Sequence, residues 1–214
     1  MIKNIYDICV IDIGSPKLGN LGWAFYGAFE GFEKTGENLD ALIALIKDYS
    51  PQNGLILGLE APLFVPLRED IYLATKGRSG EGGRPWSAGA GAQVLAMNLP
   101  IMTYLFSKLS DIPELEVLVN ENGFRGAPGQ IMLFEALVSG QDKGSSHIQD
   151  ALIMVNYCKD FAEAKSLPPT ILQYEEQTEY FNLAAASLLR SGIIDDIALL
   201  QKPTPIYKPS SLAF

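Results

Sequence analysis

The stretch Ile5-Tyr6-Asp7-Ile8-Cys9-Val10-Ile11-Asp12-Ile13 decides the architecture. It is nearly continuous apolar and rich in β-branched residues, which reads as a buried strand rather than a half-solvated one. Asp12 stands near its C-terminal end, just before Gly14-Ser15-Pro16 breaks the run. An ionised carboxylate is expensive at such a place unless it is paired or bound to a metal.

Working outward, a second buried strand follows at Gly54 to Leu59, Gly-Leu-Ile-Leu-Gly-Leu, and delivers Glu60 just before Ala61-Pro62. Between them, Gly22 to Phe32 spaces Trp23, Phe25, Tyr26, Phe29 and Phe32 with glycines, a pattern of two short antiparallel strands. Asn38 can cap a helix from Leu39 to about Tyr49, with Leu42, Ile43, Leu45 and Ile46 on its apolar face and Pro51 beyond its end. A long helix is expected from about Gly89 to Leu109, disturbed at Pro100. Glu116 to Val119 suits a short strand, and Ile131 to Val138 is read as a strand although its pattern also allows a helix. Ser145 or Ser146 caps a helix from His147 to about Lys165. From Pro168 the pattern predicts a short strand, a helix near Tyr180 to Arg190 and a proline-rich end. This alternation predicts an α/β fold with a mixed five-stranded sheet flanked by helices. Residues 1–165 form the expected domain, with 166–214 as an extension packed on it.

A chain of 214 residues fits one domain, and an apolar share of 48% excludes wholesale disorder. No apolar run reaches the roughly 18 residues of a membrane span, and Met1 to Asp7 lacks the pattern of a secretory signal. Cys9 and Cys158 each sit in apolar runs and read as buried, reduced thiols, which makes a cytoplasmic location the expectation. The net charge of −9 counts against a broad, sequence-independent DNA-binding surface. It leaves a nuclease open, because metal-holding carboxylates add negative charge that bound Mg²⁺ reverses locally.

Acids ending neighbouring buried strands face a common crevice, where open α/β sheets place their sites. His147 and Asp150 stand at i and i+3 in the first turn of one helix and project from one face. Each residue also has a local reading. Asp12 can cap a turn, Glu60 can be a surface acid, Asp150 suits a helix dipole and His147 can be an ordinary helix-start residue. Glu135 reads either as a fifth member of the set or as an acid at the core edge. The glycine-rich stretch from Lys76 to Ala92 is expected to be a segment over substrate. There Arg78 and Arg84 would contact phosphates and Trp86 would stack on a base; an ordinary exposed loop is the alternative. No Gly-Lys-Ser/Thr follows the glycines, so this is not a phosphate-binding loop of that kind.

Four features stand in chain order: an acid closing the first strand, a hairpin, an acid closing the fourth strand, and His-x-x-Asp opening a late helix. That order resembles the RNase H superfamily, nearest to its branch of RuvC-type Holliday-junction resolvases. Val10-Ile11-Asp12-Ile13-Gly14 with Gly22-Trp23, Glu60-Ala61-Pro62, and His147-Ile148-Gln149-Asp150-Ala151-Leu152 are also similar to a family of predicted nucleases of that fold. The resemblance spans about residues 5 to 165. It implies an RNase H-like three-layer fold and a two-metal phosphodiesterase acting on DNA or RNA, with two Mg²⁺ or Mn²⁺ ions about 4 Å apart. Asp12 would be the shared ligand, Glu60 and Asp150 would hold one ion each, and His147 would be a ligand or an orienting group. Two other classes stay open. One is a non-catalytic binding or assembly module of the same fold. The other is an actin-like ATPase or sugar kinase, suggested by Asp12-Ile13-Gly14-Ser15 but lacking a second phosphate loop. A homo-oligomer, with the proline-rich end from Pro203 packed on a neighbour, is likewise left open.

Overall fold

The computed structural model describes residues 2, 4–81, 86–138, 143–173 and 178–209. Its centre is the pair of buried strands β1 (Tyr6–Asp12) and β4 (Gly54–Glu60), which run parallel in register from Tyr6 opposite Gly54 to Asp12 opposite Glu60. β2 (Gly22–Gly27) returns antiparallel along β1, and β3 (Phe32–Gly36) pairs with β2. Beyond β4 lies β7 (Gln130–Ala136), parallel to it. The far side of β7 is shared, by β6 (Glu116–Leu118) along its first half and β9 (Ile206–Tyr207) along its end. The sheet therefore has seven strands in mixed directions, not the expected five. β6 is the short strand expected at Glu116 to Val119, while β9, two residues long, is too short to carry a periodic signal of its own.

Helices cover both faces. α1 (Leu39–Tyr49), α2 (Gly89–Leu109) and α4 (Leu183–Ser191) lie on one side, where Leu42, Met102 and Ala184 share a core with Cys9, Ile11, Leu57 and Leu133. α3 (His147–Glu163) covers the other, where Met154, Val155 and Cys158 meet Tyr6, Ile8, Val10, Ile56 and Met132. Alternation along the strands sorts the side chains between these layers. Asn38 caps α1 by accepting the Ala41 N–H, and all four predicted face residues are buried. Pro100 sits inside α2 without ending it, because Ile101, Met102, Leu105 and Phe106 on the following turns are locked in the core.

The chain after α3 comes back onto the same body. β8 (Glu179–Asn182) pairs with β5 (Phe64–Leu67), α4 packs on α2, and β9 joins the sheet. The helix expected from Tyr180 begins instead at Leu183, after this strand, with Asn182 as its cap. Cys9 and Cys158 are buried free thiols. No helix among the described residues is long and apolar enough to cross a membrane.

Candidate metal centre

Strand register builds the site. Asp12 and Glu60 are partners across the β1–β4 ladder at the C-terminal ends of both strands, and their even spacing from Ile8, Val10 and Ile56 puts both carboxylates on the α3 side. The third acid comes from α3. Ser146 caps that helix by accepting the Gln149 N–H, and Gln149 Oε1 accepts the Ser145 N–H in return, a reciprocal box that fixes the first turn. From this turn His147 and Asp150 reach the strand ends. Gly22, the register partner of Asp12, is what allows the approach: a Cβ there would lie 2.4 Å from the His147 carbonyl carbon and the Ile148 nitrogen.

One carboxylate oxygen each from Asp12, Glu60 and Asp150 lies within 4.8 Å of the others. Asp12 and Asp150 are buried, at 4% and 5% exposure. His147 turns Nδ1 to Asp12 Oδ2 at 2.6 Å, so it grips one acid of the group. Asp150 Oδ1 accepts the Gly144 N–H at 2.6 Å. Lys143 Nζ stands 3.5 Å from Glu60 Oε1 and 3.4 Å from Asp150 Oδ2. Glu60 Oε2 is buried and has no hydrogen-bond partner among the described residues.

The electrostatics follow from that geometry. Burial, then the like charges of Asp12 and Asp150, push Glu60 up to about 9, with Lys143 opposing. Burial also raises Asp12, against the pull of His147 and Lys143. Burial alone would lower Lys143, but Glu60, Asp150 and Asp12 outweigh it and hold the ammonium above its ordinary value. Among the described residues these three largely buried carboxylates have Lys143 and His147 as their cationic partners, and Glu60 Oε2 is unpaired. That oxygen donor set could hold a metal ion.

Asp12 and Glu60, with Lys143 and His147, line a cavity of about 150 Å³ whose other wall is mainly apolar, made by Pro62, Trp86, Ala90, Val94, Leu137 and Val138 together with Glu81. Trp86 is held there by its Nε1–H, which donates to the Lys76 carbonyl at 3.3 Å. The expectation for Arg78 is corrected. Its guanidinium is not on a loop surface but 4% exposed, paired with Glu135 at 2.6 and 2.8 Å and with Glu81 at 2.8 Å, and stacked on Phe64. Arg84 lies outside the described residues. Glu135 is no fifth ligand: its register partner is Leu59, one residue out of step with Glu60, so it points to the opposite face and holds Arg78 and the Leu63 N–H. Lys143 is the member that sequence reasoning missed. A lone lysine in a polar loop carries no periodic or motif signal, and only the adjoining Ser-Ser-His helix start hinted that its loop ends at the site.

Compared with known proteins, the chain matches no family model, no curated protein and no solved structure.

Proposed function

We propose that this protein is a divalent-metal-dependent nuclease of RNase H-like fold, hydrolysing phosphodiester bonds in DNA or RNA. The observation that carries the reading is the convergence of Asp12, Glu60 and Asp150 within 4.8 Å at the ends of two parallel strands and one helix. The order of the parts supports it as well: acid-ended first strand, antiparallel hairpin, acid-ended fourth strand, and a late helix opened by His-x-x-Asp.

In this reading Asp12, Glu60 and Asp150 hold the metal. A divalent ion held by these acids would activate water for attack and stabilise charge on the scissile phosphate. The protein does the rest by positioning. His147 fixes the Asp12 carboxylate through the 2.6 Å contact, and the Gly144 N–H fixes Asp150. The apolar wall with Trp86 gives a sugar or base beside the phosphate a dry surface to rest on.

The test is Mn²⁺-dependent cleavage of linear and branched DNA and RNA by the wild type and by Asp12→Asn. Cleavage is expected from the wild type and loss below detection from the variant, with melting behaviour retained. Cleavage that persists in Asp12→Asn removes this residue from the mechanism. Mn²⁺ uptake by the wild type without hydrolysis of any substrate favours the binding-module alternative.

A further inference from the structure

We propose that Lys143 is a built-in counter-cation of the carboxylate cluster, holding the charge position of one metal ion and leaving it when a second ion enters together with the substrate phosphate. The proposal rests on the metal-dependent reading above and specifies how that site is loaded.

The contacts of Lys143 are those of a replaceable cation. Its Nζ bridges Glu60 and Asp150 at 3.5 and 3.4 Å, beyond the usual hydrogen-bond length, so it neutralises both acids without being locked to either. The Lys143 side chain is 46% exposed, which leaves its flexible stem free to swing outward. Its backbone stays in place, because the next residue, Gly144, donates its N–H to Asp150 at 2.6 Å. A displaced ammonium therefore remains within a side chain's length of the cluster, at the mouth where a phosphate would sit.

Charge balance gives the order of events. With all three carboxylates ionised, as a bound metal ion requires, one divalent ion plus Lys143 would match their charge. A second divalent ion beside the lysine leaves excess positive charge in a buried site, which is unfavourable until a phosphodiester anion arrives. Lys143 thus keeps the site half-loaded without substrate and turns to the phosphate when loading completes.

The experiment is calorimetric titration of Mn²⁺ alone into the metal-stripped wild type, Lys143→Met and Lys143→Arg, with circular dichroism to confirm that each is folded. In Lys143→Met the stoichiometry is expected to rise from one ion to two, or the binding step to tighten by about tenfold, since removing a charge about 4 Å away is worth at least that much. Lys143→Arg should match the wild type. Identical isotherms for the wild type and Lys143→Met overturn the proposal and leave the metal centre standing. Weaker binding by Lys143→Met, or tightening in Lys143→Arg as well, also overturns it. No Mn²⁺ uptake by any of the three proteins defeats the metal reading itself.

Discussion

Two groups of largely buried acids lie beside one sheet, and they are neutralised in different ways. Glu135, whose β7 position faces away from α3, and Glu81 share the guanidinium of Arg78, with contacts of 2.6 to 2.8 Å and further bonds to the Arg78 and Leu63 backbone N–H groups. On the α3 side, Glu60 and Asp150 share one lysine at 3.4 to 3.5 Å, Asp12 is held by His147, and Glu60 Oε2 has no partner among the described residues. The first group pairs each of its carboxylates with Arg78 at close range and ties the segment around Arg78 to β7, with Arg78 Nε left unpartnered among the described residues. The second is open, and its unmet demand for positive charge is what a binding site for cations requires. Burial of carboxylates is common to both, so burial alone does not mark a site; incomplete compensation does.

The group around Arg78 should be the more sensitive to losing its cation. Arg78→Met leaves two buried carboxylates facing apolar surroundings and is expected to cost about 3–5 kcal/mol of stability. Urea denaturation of the variant against the wild type measures it. A loss below about 1 kcal/mol would mean that the pair is not a structural clamp and that the contrast between the two groups is wrong.

The open group should announce itself through pH. Glu60 is pushed from its ordinary 4.5 up to about 9 in the folded, metal-free chain. Between those values the folded state holds a proton that the unfolded state releases, so stability falls as pH rises through this window. The loss expected between pH 5 and pH 9 is on the order of a few kcal/mol. Glu60→Gln should flatten the slope, whereas Arg78→Met should leave it in place. Saturating Mn²⁺ should reverse it, because the ion favours the ionised acids that protons compete for. A metal-free stability that is flat over this range, by denaturation at fixed temperature, would show that the cluster is already compensated.

The difference between the groups also explains what could be read in advance. Asp12 and Glu60 were legible because each ends a strand whose apolar run admits no other charge near its end, and Asp150 because a serine cap sets the phase of its helix. Glu135 could have been excluded by counting. Once β4 and β7 are aligned as parallel neighbours it falls opposite Leu59 and shares that residue's face. Arg78 could not, since its burial depends on Glu135, 57 positions away, and a glycine-rich stretch gives no local sign of such a partner. β9 was beyond reach for a related reason: it exists as a strand because β7 offers it a free length of edge, whereas β6 answers to the short strand expected at Glu116 to Val119. Lys143 belongs to this second kind, fixed by what surrounds it.

The two groups can be separated by one glycine. Gly22→Ala would place a methyl 2.4 Å from the backbone of His147 and Ile148, which cannot yield as a side-chain tip could. The start of α3 must move away from β2, taking His147 off Asp12 and Asp150 away from the strand ends. The stability cost is expected to be about 1–3 kcal/mol, the range for overpacking. Mn²⁺ affinity should drop by about tenfold or more, as it does when the groups orienting metal ligands are disturbed. Because Gly22 touches only the α3 layer, the Arg78 clamp should be indifferent to it. In a double mutant, the costs of Gly22→Ala and Arg78→Met should add. Retained Mn²⁺ affinity in Gly22→Ala would show that the site tolerates displacement of α3. Strong non-additivity would show that the two groups are energetically one unit and could no longer be treated as independent.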